Sequence, residues 1–138
     1  MSAQSREERH ALGMKMFEQV YGDVVPPPPA GASKGFDLLI IEQQFAEVWS
    51  RPSLPVPLRR LLTVGVVAAR GEYQTLELQF RRMLEAGELD EEQIRDAAMH
   101  LISYAGTPSS GGIFAASEKA IADYHEKRDS TAISEAGA

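Results

Sequence analysis

The 138-residue chain contains no cysteine. That excludes a disulfide framework, thiolate metal sites, a cysteine nucleophile and any CxxC redox couple. Long apolar runs are also missing. The best candidate, Leu61 to Ala69, falls far short of the roughly 20 residues a membrane-spanning helix needs. Clustered positive charge is missing too: 14 Lys and Arg stand against 20 Asp and Glu, for a net charge of -6. The basic residues are scattered, with only short pairs at Arg59-Arg60 and Arg81-Arg82. A nucleic-acid surface, which needs clustered cations to displace counterions, is therefore not expected. The opening SAQSREERHALG has no apolar segment, so no signal peptide is expected, and a cytoplasmic location is the default. His10, His100 and His125 stand far apart in no ligand spacing, so no metal site is expected.

What is present is helical patterning. No useful stretch alternates with period two, and apolar residues recur at three- and four-residue spacing, which makes the fold class all-α. The length fits one domain, expected over residues 1–128, with residues 129–138 polar, small and expected to be disordered. The spacing predicts six helices. The first covers 4–21, with Leu12, Met16 and Val20 inward. The Pro-rich stretch 23–35 follows; four consecutive prolines fix φ and favour polyproline II. It reads as a stiff connector in preference to a docking motif, because no basic residue flanks it.

The second helix covers 36–50, with Leu38, Ile41, Phe45 and Val48 in register, widened by Leu39 and Ile40. The centre of the chain is Val48 to Gly71, which holds the only tryptophan, Trp49, then Pro52, Pro55 and Pro57, then the most apolar helix. That third helix, 58–70, places Leu58, Leu61, Leu62, Gly65, Val66 and Ala69 on one stripe. Gly65 suggests close helix approach, since it otherwise costs about 1 kcal/mol against alanine. The fourth helix, 72–86, carries Tyr73, Leu76, Phe80, Met83 and Leu84 on one stripe and Thr75, Gln79 and Arg82 on another. Asp90 with Gln93 reads as a capping box for the fifth helix, with Ile94, Ala97, Ala98, Leu101 and Ala105 inward. The sixth, about 113–127, uses Phe114, Ser117, Ile121 and Tyr124.

Five segments in this order resemble the carboxymuconolactone decarboxylase family, a branch of the all-helical group that includes the alkylhydroperoxidase D proteins. Arg9 and Gly13 with Val20 and Gly22 are similar to its opening helix. Phe45-Ala46-Glu47-Val48-Trp49-Ser50-Arg51-Pro52 is similar to its FGEVWSRPGL signature. Leu61-Leu62-Thr63-Val64 up to Gly71 resembles its L-V-T-L helix. Leu84-x-x-Gly87 with Glu91-Glu92-Gln93-Ile94, and His100-x-x-x-Tyr104-Ala105-Gly106-x-Pro108, resemble its last two motifs. The resemblance implies a six-helix, oligomeric (trimeric or hexameric) fold. It also implies cofactor-free decarboxylation of a small carboxylated lactone in aromatic-compound catabolism.

The departures from the family pattern are specific. The glutamate, C-x-x-C and histidine of the peroxidase branch fall on Arg60, Glu72, Thr75 and Gln79 here, so thiol peroxidase chemistry is excluded. The EL-x-x-H of the decarboxylase branch falls on Thr75 and Gln79, and the first arginine of L-R-x-R is Pro57, the second Arg59. A decarboxylase must hold the carboxylate, stabilise the electron-rich product and deliver a proton. The candidates for catalysis are Gln79, Arg59, His100 and Tyr104; those for substrate binding are Trp49, Arg51, Arg60, Thr75 and Glu77.

Each candidate also has a plainer reading. His100 and Tyr104 share a helix face and form either a proton-transfer pair or a subunit contact, the latter favoured. Gln79 can orient an oxyanion but cannot shuttle a proton. Glu77 is expected to pair with Arg81, and Trp49 to be core or interface. Arg59 binds a carboxylate of substrate or of a neighbouring subunit. The competing functional expectations are a lyase or isomerase on a small cyclic acid, a scaffold that has lost the activity, and another reaction on the same fold. Helices two and three carry more apolar surface than one small domain covers, so a homo-oligomer is expected with no nucleic acid or membrane as partner.

Overall fold

The computed structural model describes residues 4–29 and 34–137. It contains six helices in chain order and, among the described residues, no strand. Helix α1 is Arg6–Tyr21. Helix α2 begins as one α-turn, Lys34–Phe36, and continues as a π-helical segment, Asp37–Trp49. Then follow α3 (Val56–Ala69), α4 (Tyr73–Glu85), α5 (Glu91–Ala105), a 3₁₀ turn (Thr107–Ser109) and α6 (Ser110–Ala136). The all-α class and the six-helix order expected from periodicity are what the structure has. None of the described helices is long and apolar enough to cross a membrane.

The backbone separates into two compact units, Met1–Arg59 and Arg60–Ala138, where one domain is expected from length. Each has its own apolar cluster. In the first, Met16, Phe17 and Val20 of α1 pack on Ile41, Phe45 and Trp49 of α2. Ser5 and Glu8 form a capping box at the start of α1, satisfying two orphan donors reciprocally. The wider π winding of α2 changes which residues face inward. Ile41, Phe45 and Trp49, spaced by four, are buried together with Glu42 and Ala46, while Leu38, Leu39 and Val48 are exposed. The α-helical stripe expected there is corrected to this extent. Described residues 23–29 of the Pro-rich stretch are non-helical; residues 30–33 lie outside the described residues.

In the second unit α4 and α6 pack closely, with α5 against α6. The core joins Leu76, Phe80, Met83 and Leu84 of α4 to Ile94 and Ala98 of α5 and Ile113, Ala116, Ala120 and Ile121 of α6. The expected stripes of α4 and α5 are those that pack; Phe114 of α6 is exposed. Asp90 caps α5 through the expected box with Gln93. Gly71 and Gly87 adopt positive φ after α3 and α4, where glycine carries no steric penalty. Helix α6 runs to Ala136 in place of an irregular tail from residue 129. Its last turns are exposed and are held by local bonds such as Thr131 Oγ1 donating to the Lys127 carbonyl.

The largest correction concerns α3. Its buried residues are Arg60, Val64 and Ala68, while Leu58, Leu61, Leu62 and Val66 are 43–64% exposed. The apolar leucine face points out and an arginine points in. Gly65 is not a close-approach glycine, because a Cβ there meets nothing within 4 Å. Gly13 is one: a Cβ there runs into the Ile41 backbone carbonyl. The two glycines therefore have opposite mutational signs. Gly13→Ala is expected to destabilise by about 1–3 kcal/mol through overpacking. Gly65→Ala is expected to stabilise by about 0.5–1 kcal/mol through helix propensity. Urea titration of both variants checks the pair of signs.

Candidate functional site

Helix α4 places Thr75, Gln79 and Arg82 at four- and three-residue spacing, so they share a face. Thr75 and Arg82 are half-buried, and Gln79 has no exposed surface. Helix α3 delivers Arg60, also with no exposed surface, to the same place. The guanidinium Nη1 donates to Gln79 Oε1 at 2.8 Å. Its Nε donates to Glu88 Oε2 at 2.8 Å, and its Nη2 to Glu88 Oε1 at 3.2 Å. Glu88 sits in the α4–α5 turn just after Gly87, its side chain 9% exposed. The fork-on-carboxylate arrangement is the strongest geometry available to such a pair. Buried charge is costly unless paired, and here each partner supplies the other.

Arg60, Gln79 and Glu88 form one desolvated polar cluster in a largely apolar core. A guanidinium has donors only. The Gln79 atom facing it must therefore be the amide oxygen, and the orientation of that amide is chemically forced. The sequence-based candidates Arg60 and Gln79 are thus brought together. Glu88 was missed. The signal for it is indirect: an arginine on the buried side of an apolar helix requires a carboxylate, and the α4–α5 turn offers Glu88 beside Asp90, which is occupied as a cap.

The other candidates lie elsewhere. His100 and Tyr104 are both exposed on α5, rings 5.0 Å apart, and line an open groove of about 310 Å³ with Leu61, Gly65, Ala68, Ala69, Leu101 and Ala105. Gln79 and Arg60 are not among its walls. Glu77 borders a different cleft of about 420 Å³ between α4 and α6, where it accepts from Lys119 Nζ at 3.0 Å. The expected Glu77–Arg81 pair is absent from the ion pairs seen; Arg81 lies near Glu85 and Asp123 instead. Hydrogen bonds to Asp123 and then Glu77 raise the Lys119 pKa above its ordinary value.

Three further candidates belong to the first unit. Trp49 is core, stacked on Phe45 with centroids 6.1 Å apart, in line with its expected core-or-interface reading and not with the substrate-binding one. Arg59 donates from Nε to the Leu54 carbonyl and from Nη2 to the Arg51 carbonyl, organising the loop that precedes α3. The Arg51 side chain is on the surface. Elsewhere in this unit Glu42 is buried and accepts from Arg6 Nε at 3.1 Å, with His10 Nδ1 at 3.7 Å. Among the described residues no group of three or more His, Asp or Glu side chains is placed to hold a metal ion.

An all-helical, cysteine-free domain with a buried polar cluster between α3 and α4 is the class that fold and site define. The comparisons narrow it: the chain belongs to the carboxymuconolactone decarboxylase family, whose profile matches residues 38–119. It is similar to a nitrosuccinic acid decarboxylase of Metarhizium robertsii, 35% identical over 119 residues, which are 86% of this chain and 79% of that protein. It is also similar to a 4-carboxymuconolactone decarboxylase of Acinetobacter baylyi, 30% identical over 121 residues, 85% and 90% of the two chains. No solved structure matches.

The buried pair and a surface pair separate by mutation. Glu88→Ala leaves Arg60 charged and buried, and is expected to cost about 3–5 kcal/mol. Glu118→Ala removes the exposed Arg95–Glu118 pair and is expected to cost about 0–1 kcal/mol. Chemical denaturation of the two variants measures the difference.

Proposed function

We propose that this protein is a cofactor-free decarboxylase of a small organic acid that carries an electron-accepting group next to the carboxylate. The observation that carries this reading is the buried, charge-paired Arg60–Gln79–Glu88 cluster, at the family's variable helix-four position, in a chain whose two compared relatives are both named decarboxylases. One of those relatives is named for a nitro acid, the other for a carboxylated lactone. Both kinds of compound can take the electron pair left behind when carbon dioxide departs onto oxygen, as a nitronate or an enolate. Fixed donors and charges in a dry site stabilise such a developing anion far more than water-exposed ones do. Thr75 lies on the same face of α4 and is partly exposed. Arg59 acts by ordering the loop before α3, and His100 and Tyr104 supply polar groups at the neighbouring groove.

Carbon dioxide release from nitrosuccinate and from 4-carboxymuconolactone, with and without a chelator, tests the reading. Release from one of them, unchanged by the chelator, is the expected result. No release from either removes the decarboxylase assignment.

The protein is also proposed to work as a homo-oligomer built on α3. The supporting observation is the exposed stripe Leu58, Leu61, Leu62 and Val66 on one helix, an apolar patch of the kind that marks contacts. Sedimentation is expected to give an oligomer at micromolar concentration, and Leu62→Glu to shift it toward monomer. A monomeric wild type rules the proposal out.

A further inference from the structure

We infer that the groove between α3 and α5 holds the small organic acid, with Gly65 opening the space and His100 and Tyr104 supplying the polar contacts. This deepens the decarboxylase reading above and rests on it for the identity of the acid. Leu61, Gly65 and Ala68, three and four residues apart, form the α3 wall of the groove. Leu101 with His100 and Tyr104, the last two four apart, form the α5 wall. The rotation of α3 that buries Arg60 also buries Val64 and Ala68 at four-residue steps, and so sets Ala68 in the floor.

A Cβ on Gly65 would meet nothing within 4 Å. Packing therefore gives no reason for a glycine there, and helix propensity counts against it. What Gly65 leaves is room. The groove measures about 310 Å³, at the lower end of ligand-pocket volumes, which suits a small acid. A longer side chain at position 65 would occupy that volume.

Charge selects among the clefts. Two others carry carboxylates in their walls: Glu77 between α4 and α6, and Glu7, Asp37 and Glu42 in a cleft of about 350 Å³ between α1 and α2. The α3–α5 groove has none. On a chain of net charge -6 an anion is repelled least there. The His100 ring nitrogens and the Tyr104 hydroxyl have no hydrogen-bond partner among the described residues. Both side chains can donate to a carboxylate or nitro oxygen. The carbon body of the acid then lies on Leu61, Ala68 and Leu101, and its anionic end on the two rings. An apolar wall with a few convergent polar groups is the usual make-up of a small-molecule site.

Titration with 3-nitropropanoate, the acid left when nitrosuccinate loses the carboxylate beside its nitro group, tests the site without turnover. The His100 ring resonances are expected to shift in the wild type. His100→Phe identifies them by their loss and keeps a ring beside Tyr104. It is expected to bind the probe about 10- to 100-fold more weakly. Gly65→Leu fills the groove. It is expected to bind at least about 10-fold more weakly and to melt at or above the wild-type temperature. Both variants are expected to raise KM by similar factors for whichever acid releases carbon dioxide, and on an acid that turns over this rise supports the groove even where the probe does not bind.

Probe bound with His100 unshifted, Kd and KM unchanged in Gly65→Leu, or neither probe binding nor turnover overturns the inference. So does altered sedimentation of Gly65→Leu with probe binding intact, because the groove then holds a second copy of the chain. If Gly65→Leu does not fold, the surface variant His100→Phe still decides. Probe binding that Gly65→Leu abolishes, with no carbon dioxide from either acid, sinks the decarboxylase reading and leaves the groove as an acid site. Carbon dioxide release with KM unmoved by both variants does the reverse.

Discussion

The second unit is built around a charge that cannot be left alone. Arg60 enters the core with no exposed surface, and its guanidinium is tolerable there because Glu88 meets it with both oxygens and Gln79 accepts from it as well. This requirement fixes the rotation of α3: once Arg60 is inward, Val64 and Ala68 follow at four-residue steps, and the leucines between them face outward. It also fixes the α4–α5 turn, which must bring Glu88 back under α3. Replacing such a pair with apolar residues often costs nothing in stability. A stability gain is therefore a weak explanation for its presence, and a positioning role a better one.

Much of the fold was legible in the sequence because most helices here obey simple rules. The α4 stripe of Leu76, Phe80, Met83 and Leu84 is the one that packs, and Asp90 with Gln93 forms the expected capping box. Where the reading failed, a specific force won. On α3 the apolar residues outnumber the inward positions, so periodicity selected the leucine face, while the buried ion pair selected the other. On α2 the π winding shifted the inward set to Ile41, Phe45 and Trp49 with Glu42 and Ala46, a change that a 3.6-residue template cannot register. The length of α6 was underestimated because its final turns bury nothing, and apolar patterning is silent about helices held by local bonds alone.

The candidate site was legible in part. Gln79 and Arg60 were identified as departures from a family pattern, and the structure joins them with a 2.8 Å hydrogen bond. Their common partner Glu88 carries no motif and lies in a turn, so only the demand of a buried cation could have pointed to it. Trp49 shows the plainer reading winning: the rarest residue in the chain draws a functional candidate, and it is core, as its size and apolar character favour. The family assignment itself rests on many short segments in order, and it survives the individual departures that alter chemistry.

The interlocking of Arg60 with Gln79 also bears on how position 79 can evolve. An arginine accepts nothing, so whatever stands opposite it must accept a hydrogen bond, and few side chains of that length can do so. Glutamine meets the condition with its oxygen and a neutral histidine with a ring nitrogen. Codons for the two differ by a single base in the third position. A lineage can therefore pass between an amide donor and a proton-shuttling imidazole in one mutational step, without an intermediate that strands the buried guanidinium. The Arg60–Glu88 pair keeps that exchange open, so a change of reaction partner need not begin with a loss of fold.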